Sequence, residues 1–411
     1  MWRFPYLAAR YGGGTFLLTY LFFTFTIGLG LLLLETALGR HTKQSSIGAF
    51  KAFGKQYSFI GVFVSSIPFI IVPYYCVIGG WVTRYLFGYA FGGADALADG
   101  GGMFTGFIGN APESVACMLV FMALTYLIVA LGVNNGIEKA NVVMMPLLIV
   151  IAAVIAVYSL TLPGAMDGLS YYLVPDASKF SPELIVAALG QTFYTLSLAM
   201  GIMVTYGSYL EKSTKLNSSV TQIASTTFGI SLLAGLMIVP ATFAALGSGE
   251  AVAQNSGPSL MFITIPEIFR QMPMGRLLSV VFFVSVLFAG LSSLINMFEA
   301  VIESWQQRFA LSRRAAVLLC AAICAGVGVF LEADPLTGNW MDFVTIIVSP
   351  FGAVLGAFSI YFVLGRGRIE EELNQGRTKP LPGWFGKLAR AFYVPLTCVI
   401  FVLGLVYHGI G

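Results

Sequence analysis

Residues 190–201 read Gly-Gln-Thr-Phe-Tyr-Thr-Leu-Ser-Leu-Ala-Met-Gly, and this run lies in the middle of an apolar stretch that extends over 183–210. An amide and several hydroxyl groups at such a depth are costly if they stay unsatisfied in hydrocarbon. A second run, 288–293, puts two adjacent serines in the middle of another apolar stretch. Either run alone is compatible with hydroxyls that bond back to their own helix or join two helices. Together with the opening run 1–14, MWRFPYLAARYGGG, they favour a functional site in mid-membrane.

The composition is that of a membrane protein. Of the 411 residues, 57% are hydrophobic and 10% are charged, whereas about 25% charged residues are typical of soluble proteins. Because about 20 apolar residues span a bilayer, the chain predicts an all-α polytopic membrane protein, organised as a single transmembrane domain over 1–411. We predict a short helix at 2–11 and ten spans, near 14–38, 62–90, 114–132, 141–162, 183–210, 217–247, 276–305, 312–331, 341–364 and 388–409.

The distribution of lysine and arginine predicts the orientation in the membrane. If the loop 39–57 is cytoplasmic, most basic residues fall in cytoplasmic loops, among them the charged loop 365–387, whereas Glu113, Asp167 and Asp176 fall on the opposite side. The net charge of +3 therefore reflects membrane topology, and the lipid bilayer rather than nucleic acid is the expected partner. We expect a multi-pass protein of the cell (inner or plasma) membrane with its C-terminus outside.

No arrangement of residues predicts an enzyme or a structural metal centre. The histidines His41 and His408 stand far apart, and no nucleophile–base pair or metal-ligand spacing accompanies them. The cysteines lie within or beside the predicted spans, without the paired spacing of extracellular disulfides. They are interpreted as small packing residues: Cys76, Cys117, Cys320, Cys324 and Cys398.

Six short motifs in a fixed order carry a resemblance that covers the whole chain. They are Trp2-Arg3-Phe4-Pro5 with Gly12-Gly13-Gly14, Glu35-Thr36-Ala37-Leu38-Gly39-Arg40, Tyr74-Tyr75 ahead of Trp81, Gln191 to Ser197, Ala289-Gly290-Leu291-Ser292-Ser293, and Met341-Asp342-Phe343. With this ordered set the chain resembles the neurotransmitter:sodium symporter family of sodium-dependent amino acid transporters, in its bacterial form.

The resemblance implies a fold and a substrate site. The family fold, that of the leucine transporter, has two inverted five-helix repeats around a central site, with helices one and six unwound in mid-membrane. Helix six is therefore expected to break near Thr195 to Ser197. Free carbonyls and positive helix ends at such breaks suit cations and carboxylates, so the expected partner is an amino acid, a small molecule that carries both charges. The apolar, flexible residues assigned to its side chain favour a medium or large hydrophobic amino acid. The resemblance assigns the carboxylate to the phenol of Tyr75, the amino group to Tyr194, Thr195 and Ser197, and the substrate side chain to Ile71, Met200, Ser293 and Met297.

The resemblance also implies ion sites. The second sodium site of the family falls on the carbonyl of Ala289 and the hydroxyls of Ser292 and Ser293, and the first falls on Thr195 and Thr227. Thr227 stands where the family has Asn or Asp, which weakens the expected first site. Chloride-independent members supply an acid near Thr227 or Ser231; since neither is acidic here, we expect chloride to stimulate transport. The matching chloride residues are Tyr20, Gln191, Thr195 and Ser231.

Charged residues match the family's gates only in part. Arg3 and Asp342 match the outer gate pair. Glu35 and Glu299 lie deeper in the membrane and are expected to hold helix breaks together by hydrogen bonds. The acid of the inner gate falls at Gln307, so gating at the cytoplasmic side is expected to differ.

The position of Met1 bears on function. In the family, the residues before the Trp-Arg-Phe-Pro motif form the first half of helix one (helix 1a) and ligate both sodium ions, and that half is expected to be missing here. Either Met1 is an internal methionine of a longer protein, or the product is truncated. The expected function is sodium-coupled symport of an amino acid by alternating access. The alternative is an N-terminally truncated, non-transporting remnant or accessory membrane subunit, and sodium-dependent substrate binding distinguishes the two.

Overall fold

The computed structural model describes residues 3–92, 100–247, 260–270, 274–332, 336–359, 371–375, 391 and 394–406. These residues are helical almost throughout, and their one β-type pairing is an isolated antiparallel bridge between Gly13 and Pro175. Within this part of the chain, eight helices are long and apolar enough to cross a membrane. The predicted all-α membrane fold is therefore confirmed.

The helices follow one another with short connections. In chain order they are α1 (Arg3–Arg10), α2 (Gly14–Thr42, with a π-helical turn at Thr24–Gly28), α3 (Ser46–Lys51), α4 (Ser58–Phe91), α5 (Gly100–Ile108), α6 (Ala111–Ala130), α7 (Val133–Leu160), α8 (Ala165–Leu173), α9 (Pro182–Thr195), α10 (Ile202–Tyr209), α11 (Leu216–Leu246), α12 (Ile265–Arg270), α13 (Gly275–Phe309), α14 (Arg313–Leu331), α15 (Leu336–Gly356) and α16 (Val394–Val406).

The predicted spans correspond to these helices with two kinds of difference. The predicted span 183–210 is divided into α9 and α10, each too short to cross a membrane alone. Helix α7 begins earlier than the predicted 141, and α15 begins earlier than the predicted 341. The first turns of both helices are polar, so hydropathy alone does not identify them as parts of membrane spans. The loop 365–387 is described only at 371–375. The ends of the last two predicted spans, together with His408, lie outside the described residues.

Serine residues that cap the first turn mark where two of the helices begin. Ser181 precedes α9, where Pro182 occupies the first turn, and its hydroxyl accepts the amide of Leu184 at 3.2 Å. Ser312 does the same for α14 through the amide of Ala315 at 3.3 Å. Such side chains satisfy backbone donors that the first helical turn leaves unpaired.

Two apolar cores hold the helices together. One centres on α4 and α13 with α6 and α14, and the other joins α1, α2 and α9. Helices α2 and α10 touch backbone to backbone: a Cβ on Gly39 would lie 1.9 Å from the Val204 carbonyl oxygen, and one on Gly207 would lie 2.3 Å from the Thr36 carbonyl oxygen. Glycine at these two positions therefore fixes α10, the second half of the divided span, directly against α2.

Candidate binding site at the helix break

The site is built around a gap in the helix that runs through the centre of the molecule. Helix α9 ends at Thr195 and α10 begins at Ile202. Between them, Ser197, Ala199 and Gly201 have positive φ values of 52°, 62° and 70°. A left-handed conformation costs an L-residue roughly 1–2 kcal/mol, so surrounding contacts must hold this segment. The predicted break near Thr195 to Ser197 is thus present, and it extends to Gly201.

Side chains from neighbouring helices satisfy the backbone of the break. Glu35 on α2 is 7% exposed, and its Oε1 accepts the amide of Ala199 at 2.6 Å. The hydroxyl of Ser46 on α3 donates to the Gly201 carbonyl at 3.2 Å. Gly352 of α15 also approaches the break, since a Cβ there would lie 3.4 Å from the Ala199 carbonyl oxygen. The hydrogen bond from the Ala199 amide confirms the prediction that Glu35 holds a helix break.

The predicted substrate residues lie on α4, α9 and α13 and within the break itself. Ile71, Met200 and Met297 are buried in one apolar core, against which Tyr75 and Tyr194 pack. The phenol of Tyr75 on α4 interacts with the hydroxyl of Ser293 on α13. Ser197 takes part through its backbone amide, which donates to the Tyr194 carbonyl at 3.2 Å. The arrangement offers polar groups at the break and apolar, flexible side chains beside it.

The side chain of Thr195 points to a different face of α9 from that of its neighbour Tyr194. Its hydroxyl shares a hydrogen bond of 2.9 Å with the phenol of Tyr20 and donates to the Gln191 carbonyl at 2.8 Å. Tyr20, in turn, contacts the Ser231 hydroxyl at 3.3 Å, and that hydroxyl donates to the Thr227 carbonyl at 2.9 Å. The structure therefore separates Thr195 from Tyr194 and places it in a buried polar cluster with Tyr20 and Ser231.

Gln191 belongs to the same polar cluster. It lies one turn before Thr195 on α9 and is only 2% exposed. Its Oε1 atom has no hydrogen-bond partner among the described residues. The unpaired atom is an acceptor, so this buried amide has capacity for a further donor or a cation at Oε1.

Oxygen atoms also gather on α13. The hydroxyls of Ser292 and Ser293 both donate to the carbonyl of Ala289, at 3.0 and 2.9 Å. Bonds of this kind to the helix backbone are common for serine and recur elsewhere on α13, so the three oxygens are of the type that a hard cation binds but do not by themselves show a site. Among the described residues, the two residues of the other predicted sodium site, Thr195 and Thr227, are joined by a chain of hydrogen bonds through Tyr20 and Ser231.

A cavity of about 60 Å³ opens on the side of the break that faces α15 and α16. Of the predicted substrate residues, Tyr194 and Met200 line it. Sequence reasoning missed most of its walls, although Gly190, Phe193 and Tyr194 follow the i, i+3, i+4 spacing of one helix face. The further lining residues are Arg3, Leu198, Thr345, Ser349, Pro350, Ala353 and Thr397. Tyr75 instead lines a smaller cavity with Ala289 and Gly290.

The predicted outer gate pair, Arg3 and Asp342, lies at one end of the site, and Gln307, the position of the missing inner-gate acid, lies at the other. The guanidinium of Arg3 lies 5.0 Å from the ring centre of Tyr194 and its charge interacts with Asp342. At the opposite end, the amide and the hydroxyl of Ser45 donate to Gln307 Oε1 at 2.8 and 2.7 Å. Gln307 therefore joins the end of α13 to the start of α3 without a charge.

Glu299 does not hold a helix break. It is fully buried, accepts the phenol of Tyr209 at 2.7 Å and pairs with Arg313 Nη2 at 2.5 Å. Arg313 also donates to the Val129 carbonyl at the end of α6. This carboxylate consequently ties α13 to the ends of α6, α10 and α14, a role set by helix packing that its sequence position does not reveal.

Comparison with known proteins adds three findings. A model of the sodium:neurotransmitter symporter family matches residues 1–92 and 106–408. The sodium-dependent transporter YhdH of Bacillus subtilis is 35% identical over 428 aligned positions, covering 99% of this chain and 93% of YhdH. The crystal structure of MhsT in complex with L-phenylalanine matches with a TM-score of 0.84 and 32% identity, covering 98% of this chain and 94% of that one. At greater distance, the human sodium- and chloride-dependent GABA transporter 2 is 26% identical over 353 positions, covering 74% of this chain and 58% of the transporter.

Proposed function

The chain belongs to the sodium:neurotransmitter symporter family, a family of multi-pass membrane transporters, and on that basis we propose that it couples sodium to the uptake of a hydrophobic amino acid. The observation that carries the proposal is the break at 196–201, which is bordered by hydroxyls and flexible apolar side chains. The likeness to MhsT with bound L-phenylalanine supports a hydrophobic or aromatic substrate.

The amino acid would bind across the break. The phenol of Tyr75 would donate to the carboxylate, in competition with its present contact to Ser293. Carbonyls released between Thr195 and Ile202 would accept the ammonium group, beside Tyr194 and the hydroxyl of Ser197, whereas the Thr195 hydroxyl faces the polar cluster with Tyr20. Ile71, Met200 and Met297 would surround the substrate side chain, and unbranched methionines adapt readily to side chains of different size.

Sodium would bind where oxygens already converge. The Ala289 carbonyl with the hydroxyls of Ser292 and Ser293 would form one site, and Thr195 with Thr227 would contribute to the other. When bound, the ion supplies positive charge that stabilises the closed site. The hydroxyls of Ser292 and Ser293 would turn from the Ala289 carbonyl toward the ion, since their present bonds are weak internal ones.

Alternating access would proceed within a single transmembrane domain of the cell membrane, with the C-terminus outside. Arg3 with Asp342 would close the outer face over Tyr194. The hydrogen bonds of Gln307 and Glu299 would hold the inner face closed while substrate is loaded. The neutral contact of Gln307 and the charged contact of Glu299 join helices that must separate when the inner face opens.

Chloride is the expected co-ion, because Tyr20, Gln191, Thr195 and Ser231 form one buried polar cluster without an acid. We expect uptake to fall at least several-fold when gluconate replaces chloride, and Tyr20→Phe to raise the chloride concentration for half-maximal uptake. Tyr85→Phe serves as the control, because it removes a phenol on α4 that donates to the Phe262 carbonyl, away from the chloride cluster. Uptake indifferent to gluconate would overturn the chloride assignment.

Purified protein in liposomes tests the proposed function. Radiolabelled L-phenylalanine uptake should be saturable, driven by an inward sodium gradient, abolished when potassium replaces sodium, and collapsed by gramicidin. Lysine and aspartate should compete poorly, because the side-chain walls are apolar. Sodium-dependent binding without uptake would favour a binding or accessory protein instead, and the absence of both binding and uptake for all hydrophobic amino acids would refute the substrate class.

A further inference from the structure

A short segment of the charged loop, 371–375, lies docked on the end of the molecule that carries Gln307 and Arg313. Glu372 and Leu373 are 2% and 3% exposed, whereas the neighbouring Glu371 is exposed. Leu373 belongs to the apolar core that also contains α1 and α2. The segment is thus held by specific contacts rather than lying on the surface.

Glu372 forms an ion pair with Arg40, and each of the three guanidinium nitrogens donates a hydrogen bond, one to the carboxylate and two to backbone carbonyls. Arg40, at the end of α2, is 0% exposed. Its Nε donates to Glu372 Oε1 at 2.5 Å, its Nη2 to the Glu372 carbonyl at 2.7 Å, and its Nη1 to the Thr214 carbonyl at 2.6 Å. His41 Nδ1 lies 3.4 Å from the other carboxylate oxygen. A buried charge so fully paired becomes costly when its partner leaves.

The pair joins elements that hold the second half of the broken helix. Thr214 lies in the connection after α10, and the ammonium group of Lys43 also donates to the Leu210 carbonyl in that connection. Arg40 follows Gly39, whose backbone touches α10 directly. Movement of α10 away from its closed position would therefore strain the contacts of Arg40 with Thr214 and Glu372.

We propose that Glu372 is a positioning residue for transport, and that the segment 371–375 is a latch which keeps the inner face closed through Arg40. The proposal rests on the proposed transport function. Because Gln307 is neutral and already bound to Ser45, the Arg40–Glu372 pair supplies a charged contact at this face that the usual gate position does not. Release of the latch would accompany opening of α10 toward the inner side.

The test compares Glu372→Gln with Glu371→Gln, which neutralises the adjacent exposed carboxylate. Hydrogen exchange followed by mass spectrometry is measured on folded, substrate-free protein, and uptake kinetics are measured in liposomes. We expect Glu372→Gln to accelerate amide exchange at 210–216 at least five-fold and to raise KM for external substrate several-fold. Glu371→Gln should match the natural protein in both measurements, and Glu372→Asp, which keeps the carboxylate, should show at most half of each change.

Each outcome decides the proposal. Equal exchange in Glu372→Gln and Glu371→Gln, or equally large changes in Glu372→Asp and Glu372→Gln, would overturn it. Failure of Glu372→Gln to fold, seen as loss of the monodisperse protein, would also count against it, because the pair would then serve folding rather than gating. If no variant transports any amino acid, the proposed function fails, while a difference in exchange between the two glutamine variants would still support the latch.

Discussion

At the residue scale, the phenol of Tyr75 is the group expected to bind the substrate carboxylate. We predict that Tyr75→Phe weakens amino acid binding about 10- to 100-fold, because a hydrogen bond to a charged group contributes about 1.5–3 kcal/mol. Scintillation proximity binding in sodium measures this change. The matched control is Tyr85→Phe on the same helix, whose phenol donates to the Phe262 carbonyl. Unchanged affinity in Tyr75→Phe would remove Tyr75 from the site.

Also at the residue scale, Glu35 decides how the break is held. Glu35→Ala would leave the Ala199 amide buried without its acceptor, which costs about 1–3 kcal/mol of folding free energy. Glu35→Gln keeps an oxygen acceptor, so we predict a melting temperature between those of the natural protein and Glu35→Ala. Thermal unfolding in detergent checks the order. Equal melting of all three proteins would show that the Glu35 contact contributes nothing to stability.

At the scale of elements, the packing of α10 on α2 depends on the absence of side chains at the contact. Gly207→Ala would place a Cβ 2.3 Å from the Thr36 carbonyl oxygen, and overpacking of this kind costs about 1–3 kcal/mol. We predict a lower melting temperature and reduced uptake, since the first residue of α10 directly follows the break.

Gly326→Ala is the control for this change. Gly326 lies on the exposed face of α14 with no atom near its missing Cβ, and alanine in a helix interior is favoured over glycine by roughly 0.5–1 kcal/mol. A melting temperature equal to or above that of the natural protein is expected. If Gly207→Ala behaves like Gly326→Ala, the two helices do not pack backbone to backbone.

At the scale of the whole molecule, the distribution of basic residues predicts which ends of the helices face the cytoplasm. Ala52 and Ala177 are both exposed and lie at opposite ends of the membrane helices. In a background that lacks the partly exposed Cys117 and Cys398, we predict that a membrane-impermeant maleimide labels A177C in intact cells and labels A52C only after lysis. The reverse pattern would invert the orientation.

Several features of the fold were predictable from local sequence. Long apolar stretches predicted most spans to within a few residues, apart from the starts of α7 and α15. The break near Thr195 was expected from the family resemblance, because hydroxyls such as those of Thr192 and Thr195 can also bond to carbonyls of an unbroken helix. The family fold expected from the ordered motifs is confirmed by the likeness to MhsT. For the site, the residues of the break were found, whereas the cavity walls contributed by Ser349, Ala353 and Thr397 were not.

The sequence by itself therefore determined the helices and the membrane class, since these depend on residues close together in the chain. Its ordered motifs indicated the family and, through the family, the place where one helix breaks. Only the tertiary structure decided that Glu35 caps Ala199, that Thr195 and Tyr194 face different sides, and that Arg40 pairs with Glu372. Those contacts join segments 164 to 332 residues apart. The periodicity of a single helix records which face is apolar but not which distant carboxylate or carbonyl packs against it.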